Sequence, residues 1–242
     1  MVDREIGKII LGFCSALLIL SFKATNRPMK LSNTIAIIDA DIRSGQDELA
    51  REAVLARLHA FSGSCVTPLW VNWLRSRADL RVVCMVHDLT RLDDFLIDVL
   101  RDAQGVIGTR AALSFGGRAD INRLMEIPLA ANGQLHAATV RIKLMPGYDR
   151  DAFDQIWALP RHPSVNPVWL LRTYHGYDAD LNMLLFSEDY PAINGYITSW
   201  LRPVPGLVDT LVCDVIDWRL LATPEQMIQL AERFFEFNSE EL

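Results

Sequence analysis

Residues 179–210 read ADLNMLLFSEDYPAINGYITSWLRPVPGLVDT, and residues 78–109 read ADLRVVCMVHDLTRLDDFLIDVLRDAQGVIGT. Laid one over the other, they agree at Asp79/Asp180, Asp88/Asp189, Gly105/Gly206 and Thr109/Thr210, each pair 101 positions apart. Between the second aspartate and the glycine, Leu92, Phe95, Leu96, Val99 and Leu100 fall on Ile193, Tyr196, Ile197, Trp200 and Leu201. Spacing of i, i+3, i+4, i+7 and i+8 puts those side chains on one helical face, so each stretch buries the same stripe. A common stripe, common flanking aspartates and a common closing glycine in one register identify an internal duplication.

Outward from this core, each copy reads strand, helix, strand, strand, helix, strand. The first copy has strands over Thr34–Asp41, Val66–Leu74, Leu80–Val86 and Val106–Phe115. Its helices cover Asp47–Phe61 and Thr90–Arg101, with Thr90 as the expected N-cap. The second copy has strands over Ala138–Met145, Val168–Tyr174, Asp180–Phe186 and Leu207–Trp218. Its helices cover Asp149–Leu159, with Phe153, Ile156 and Trp157 inward, and Tyr190–Leu201. The chain thus divides into an apolar segment over 1–28, a first unit over 33–117, a linker over 118–136, a second unit over 137–222 and an amphipathic helix over 223–242. Thr223, Pro224 and Gln226 open that last helix with a capping box.

A β-α-β-β-α-β order is the ferredoxin-like split motif, an antiparallel sheet with both helices on one face. The other face is not polar: Leu80, Val82, Cys84 and Val86 are apolar at one parity, Val83 and Met85 at the other. A sheet with one wet face alternates cleanly. The expected fold is therefore α+β, with two ferredoxin-like units packed sheet to sheet as a dimeric α+β barrel within one chain. At ~25 cal/mol per Å2, leaving those walls in water would forfeit several kcal/mol.

Composition narrows the function classes. Half the residues are hydrophobic and 22% charged, which suits folded cores. Net charge is −6 and the 24 Lys+Arg are scattered, so direct nucleic-acid binding is not expected. Cys14, Cys65, Cys84 and Cys213 lack C-x-x-C spacing, and a reducing, cytoplasmic setting is expected. Ile9–Phe22 is an uncharged run of 14 residues. At about 21 Å as a helix it falls short of a ~30 Å hydrocarbon core. It reads as an anchor or uncleaved signal, a docking helix, or translation from upstream of a start at Met29; membrane contact is expected only through this run.

The second copy continues with Tyr174-His175-Gly176-Tyr177-Asp178-Ala179-Asp180-Leu181, then Asp189, the amphipathic helix, Leu201-Arg202-Pro203-Val204-Pro205-Gly206-Leu207 and a Thr-containing strand. On these residues each copy resembles the effector-binding and oligomerisation (RAM) domain of the Lrp/AsnC family. The resemblance implies paired modules in a two-sheet barrel, an amino-acid-like effector, and transcription regulation by a homo-oligomer or through a partner regulator. Residues 1–33 hold no helix-turn-helix, which implies action through partners. Gly176 lies four residues before Asp180, where the family has three, and the first copy has Ser76 and Arg77 with no Gly. The ligand site is accordingly expected in the second copy. The alternative on the same barrel is a haem- or tetrapyrrole-linked enzyme similar to the siroheme decarboxylases, which use two AsnC-type halves. A further one is a membrane-tethered sensor.

The expected ligand-binding residues are Arg172, Tyr174, His175, Gly176, Asp178 and Asp180. A guanidinium and carboxylates can hold the two ends of an amino acid, with the Gly amide close by. A polar hairpin turn whose aspartates bond the backbone accounts for the same residues. No catalytic residue, cofactor or metal is assigned: His59, His87, His136 and His162 have no ligand spacing, and no phosphate loop or nucleophile elbow is present. Trp70 and Trp169, at matching strand starts, are expected in the packed interior.

Overall fold

The computed structural model describes residues 34–230, apart from 76–78, 125, 128–129, 131, 134, 175–178, 224 and 228. The expectations for the segment over 1–28 and for most of the C-terminal helix lie outside the described residues.

Strands β1 (Thr34–Ile42), β2 (Val66–Arg75), β3 (Leu80–Val86) and β4 (Val106–Ala119) belong to the first copy. Strands β5 (His136–Leu144), β6 (Val165–Tyr174), β7 (Leu181–Ser187) and β8 (Leu207–Leu220) belong to the second. All pairings are antiparallel, and the order β1-β3-β2-β8-β5-β7-β6-β4 closes into a barrel. The two sheets expected to face each other are thus also stitched along both edges, β2 to β8 and β4 to β6. Closure leaves no open edge among the eight described strands.

That stitching explains why β4 and β8 outrun their expected ends. Each is 14 residues long. The first part of β4 pairs with β1, and Gly116–Ala119 pair with Trp169–Arg172 of β6. In β8, the stretch from Asp214 to Leu220 pairs with β2. Gly116 and Gly117, which end the expected first unit just past its expected last strand, are strand residues.

Helices α1 (Asp47–Ala60) and α2 (Leu92–Phe95, preceded by a 3-10 turn over Leu89–Arg91) cover the outside of the first sheet. After the short α3 (Ile121–Leu124), α4 (Asp149–Trp157) and α5 (Tyr190–Tyr196) cover the second. Both α2 and α5 run on into a wide turn, Leu96–Arg101 and Ile197–Leu201. There Asp102 and Arg202 donate their N–H five residues back, to Ile97 and Ile197. Duplication of this rare π-type turn fits one ancestral unit. The N-cap of the first wide helix is Asp88 rather than Thr90: its Oδ1 accepts from Thr90 N at 3.0 Å and Thr90 Oγ1 at 2.6 Å.

Inside the barrel all eight strands contribute to one apolar cluster. Trp70 and Trp169 stack with ring centroids 4.9 Å apart, and Trp218 joins Trp70 at 5.6 Å. Leu124, Ile127 and Ala130, from the expected linker, and Met227 and Leu230, after the capping box at Thr223 and Gln226, are buried in the same cluster. Cys65, Cys84 and Cys213 are free thiols. Among the described residues no helix is long and apolar enough to cross a membrane.

Candidate functional site

Along β6, side chains alternate between the barrel interior, at Trp169 and Leu171, and the outer face, at Leu170 and Arg172. Helix α4 lies against that outer face through Phe153 and Ile156. Where β6 meets β4, the helix leaves a cleft of about 670 Å3. Its walls are Gly117 and Arg118 of β4, Asp149, Arg150, Phe153 and Asp154 of α4, Arg172 and Tyr174 of β6, and Asp180.

The Phe153 ring is the floor of its charge arrangement. The Arg172 guanidinium stands 4.3 Å from the ring centroid and that of Arg118 5.4 Å away. Arg118 Nη2 also donates to Asp154 Oδ1 at 2.7 Å. Arg172 has no such partner among the described residues: its ring contact is its one polar interaction, and its Nε is buried without an acceptor. A guanidinium stays charged at any ordinary pH, and a buried N–H without an acceptor costs about 1–3 kcal/mol. Chemically, such a guanidinium can donate to an anion's oxygen.

Three of the expected ligand residues, Arg172, Tyr174 and Asp180, do meet in this cleft. His175, Gly176 and Asp178 lie outside the described residues. Asp180 has a second role: its Oδ2 accepts the N–H of Leu144 at 2.7 Å, as Asp79 Oδ2 accepts that of Ile42 at 2.8 Å. Each aspartate holds the end of its copy's first strand. Lys143 Nζ lies 3.3 Å from the other oxygen of Asp180. Sequence reasoning missed Arg118, Arg150 and Asp154; Phe153, expected inward, is buried in the core as well as lining the cleft. Arg118 reaches the cleft only because β4 continues past Gly117 to pair with β6, a long-range event with no local signal. Among the described residues no cluster of His, Cys, Asp or Glu could hold a metal ion.

No protein-family model and no curated protein matches the sequence. Solved structures do match in fold. Chlorite dismutase from Candidatus Nitrospira defluvii in complex with imidazole aligns at 13% identity and a TM-score of 0.50, over 84% of this chain and 94% of that one. A mutant of the same enzyme in complex with cyanide gives 15%, 0.49, 84% and 94%. A monooxygenase candidate from Lactobacillus acidophilus NCFM gives 6%, 0.45, 79% and 100%. At these identities the likeness is one of fold.

The expectation of an Lrp/AsnC effector domain, and with it of transcription regulation, is corrected by this finding. The structural likeness falls on chlorite dismutase, and the features that suggested Lrp/AsnC have a more general cause. Asp79 and Asp180 secure strand ends, while Gly105 and Gly206 hold positive φ of 90° and 83° where a helix turns into a strand. Both serve the ferredoxin-like unit itself, so they recur on this fold whatever its ligand.

Proposed function

We propose that the chain is an enzyme of the dimeric α+β-barrel type, linked to a carboxylate-bearing tetrapyrrole held in the cleft beside α4. The observation that carries this reading is Arg172, a cation on an aromatic ring with no carboxylate of its own. Arg150 and Arg118 add positive charge to the same walls. A volume of about 670 Å3 lies within the usual ~300–1,000 Å3 of small-molecule sites. The solved protein with which the fold is shared is named for an enzymatic activity.

The donor set fits such a group at its acidic edge. Arg172 and Arg150 can each take a propionate-type carboxylate, bidentately where the fork is free. Phe153, Leu144 and Leu181, buried in the core behind the cleft, are the apolar part of the lining. Among the described lining residues, the phenol of Tyr174 is the side chain of a kind that ligates haem iron. When bound, an iron tetrapyrrole supplies one-electron and oxygen chemistry. The chain's own part would be to neutralise its carboxylates through Arg172 and Arg150, with Tyr174, 45% exposed, at the open side.

An absorption titration with ferric protoporphyrin IX tests this. A saturable shift of the Soret band is expected. No saturable change, with thermal stabilisation by free amino acids instead, would replace the tetrapyrrole by a small zwitterion.

A further inference from the structure

The sequence holds two Asn-Gly pairs, Asn132-Gly133 and Asn194-Gly195. Such a pair is the least hindered setting for asparagine's own backbone chemistry, because glycine has no side chain to shield its nitrogen. The glycine nitrogen attacks the side-chain carbonyl carbon of the asparagine and a C–N bond forms. The side-chain nitrogen takes up the glycine's proton and leaves as ammonia. Water then opens the cyclic succinimide at either carbonyl, giving aspartate or isoaspartate. Amide and water become acid and ammonia, so the balance needs no oxidant, metal or second protein.

All four residues are exposed, so water reaches both pairs alike. Their backbones differ. Asn194 and Gly195 lie inside α5. There helical ψ, near −42°, fixes the following nitrogen, and its N–H is committed to the carbonyl four residues back. Thr198 Oγ1 donates to the carbonyl oxygen of Asn194, and the Asn194 amide is hydrogen-bonded to the Tyr190 phenol. Asn132 and Gly133 instead form a turn between Ala130 and β5. The Gly133 N–H donates to Ala130 O at 3.0 Å, an exposed turn bond that opens more cheaply than a packed helix. Gly133 has a φ of +73°, and no described atom beyond its chain neighbours comes within 4 Å of where a side chain would stand.

We propose that Asn132 is a site of spontaneous modification, converting to aspartate and isoaspartate in the folded chain, while α5 protects Asn194 in the same dipeptide. What precedes the turn gives the change its consequence: Ala130, with Leu124 and Ile127, is buried in the cluster inside the barrel. Isoaspartate routes the main chain through the side-chain carbon, one methylene longer, directly after that anchor. Either product adds one carboxylate, taking the net charge from −6 to −7. The site draws on no residue of the cleft beside α4 and does not depend on what the cleft binds.

The test ages the whole folded chain in mildly alkaline buffer, well below its unfolding temperature, and follows its peptides by mass and isoaspartate content. Conversion at Asn132 is expected to be at least about tenfold faster than at Asn194, the ratio given by about 1.4 kcal/mol of extra opening cost in α5. In denaturant the two rates converge, because the dipeptides are the same. An acidic satellite grows on ion exchange and is absent from Asn132→Ala. Equal rates at the two sites in the folded chain would overturn the proposal, as would faster conversion at Asn194 or none at Asn132. A rate difference that persists in denaturant would trace the effect to neighbouring residues rather than to the fold, and a satellite that survives Asn132→Ala would place the modification elsewhere; either result also overturns it.

Discussion

Arg51 of α1 stands 4.4 Å over the ring of Trp73 on β2, the contact that Phe153 and Arg172 make in the other half with helix and strand exchanging roles. The positions correspond: Arg51 follows buried Ala50 and Phe153 follows buried Ala152, each alanine one turn after the start of its helix. Trp73 and Arg172 both face the seam between halves, opposite Asp217 and Gly116. In the first half the cation is satisfied, because Arg51 also pairs with Asp217. In the second, Gly116 offers no carboxylate. One duplicated contact includes a closed ion pair on one side and a guanidinium without a carboxylate on the other.

Arg51→Ala is expected to cost stability, about 0.5–1 kcal/mol for the ring contact plus a further contribution, reduced by partial exposure, from the Asp217 pair. Urea unfolding of this variant beside Arg172→Ala checks the contrast. Arg172→Ala should unfold within about 1 kcal/mol of the wild type, because it removes the same ring contact but no ion pair.

Gly105→Ala is expected to destabilise by about 1–3 kcal/mol, since φ at that residue is +90° and a side chain there is strained. Its Cβ would also meet the Ala50 Cβ at 2.8 Å, pushing α1 off the sheet. Gly45→Ala, at φ +76° with open space around it, carries strain alone and should cost less. Thermal unfolding of the pair separates the clash from the backbone effect.

Tyr196 is buried with its hydroxyl unpaired, and burial pushes its phenol up to about 12. A folded value above the unfolded one, near ~10, means that the folded state holds the proton more tightly. This contribution to stability is whole below pH ~10 and is lost as pH rises toward 12. Tyr196→Phe should be neutral or stabilising at pH 7, because it deletes a buried group without a partner, and should flatten the alkaline fall. Denaturant midpoints from pH 7 to pH 11 check both signs.

Asp79→Ala and Asp180→Ala are expected to destabilise to similar extents, about 1–2 kcal/mol, since each removes a charged acceptor from a strand-end N–H. Hydrogen exchange at Ile42 and Leu144 should accelerate selectively in the respective variants. Protection left intact at those amides would count against the strand-holding role.

Much of the architecture was legible because duplication writes the same constraint twice. The register of Asp79/Asp180 and Gly105/Gly206 located both units, and apolar residues at both parities of Leu80–Val86 required a covered second face. What escaped was whatever depends on the two halves meeting. Gly116 and Gly117 look like breakers locally, yet pair with Arg172 and Leu171 across the seam. Arg118 follows them into the cleft, although by composition it opens a linker. Arg81 and Arg141 sit in runs that read as ordinary strands, and their shared contact with Asp39 joins residues 42 and 102 positions apart. The family resemblance failed for the opposite reason: its signature residues serve the unit's backbone, which many ligands can share.

The affinity of ferric protoporphyrin IX for the wild type and for Arg172→Ala, measured by absorption titration at equal protein stability, bears most directly on the cleft. A charge-assisted contact of about 1.5–3 kcal/mol predicts binding weakened by roughly tenfold to a hundredfold in the variant. Equal dissociation constants for the two proteins would contradict the account.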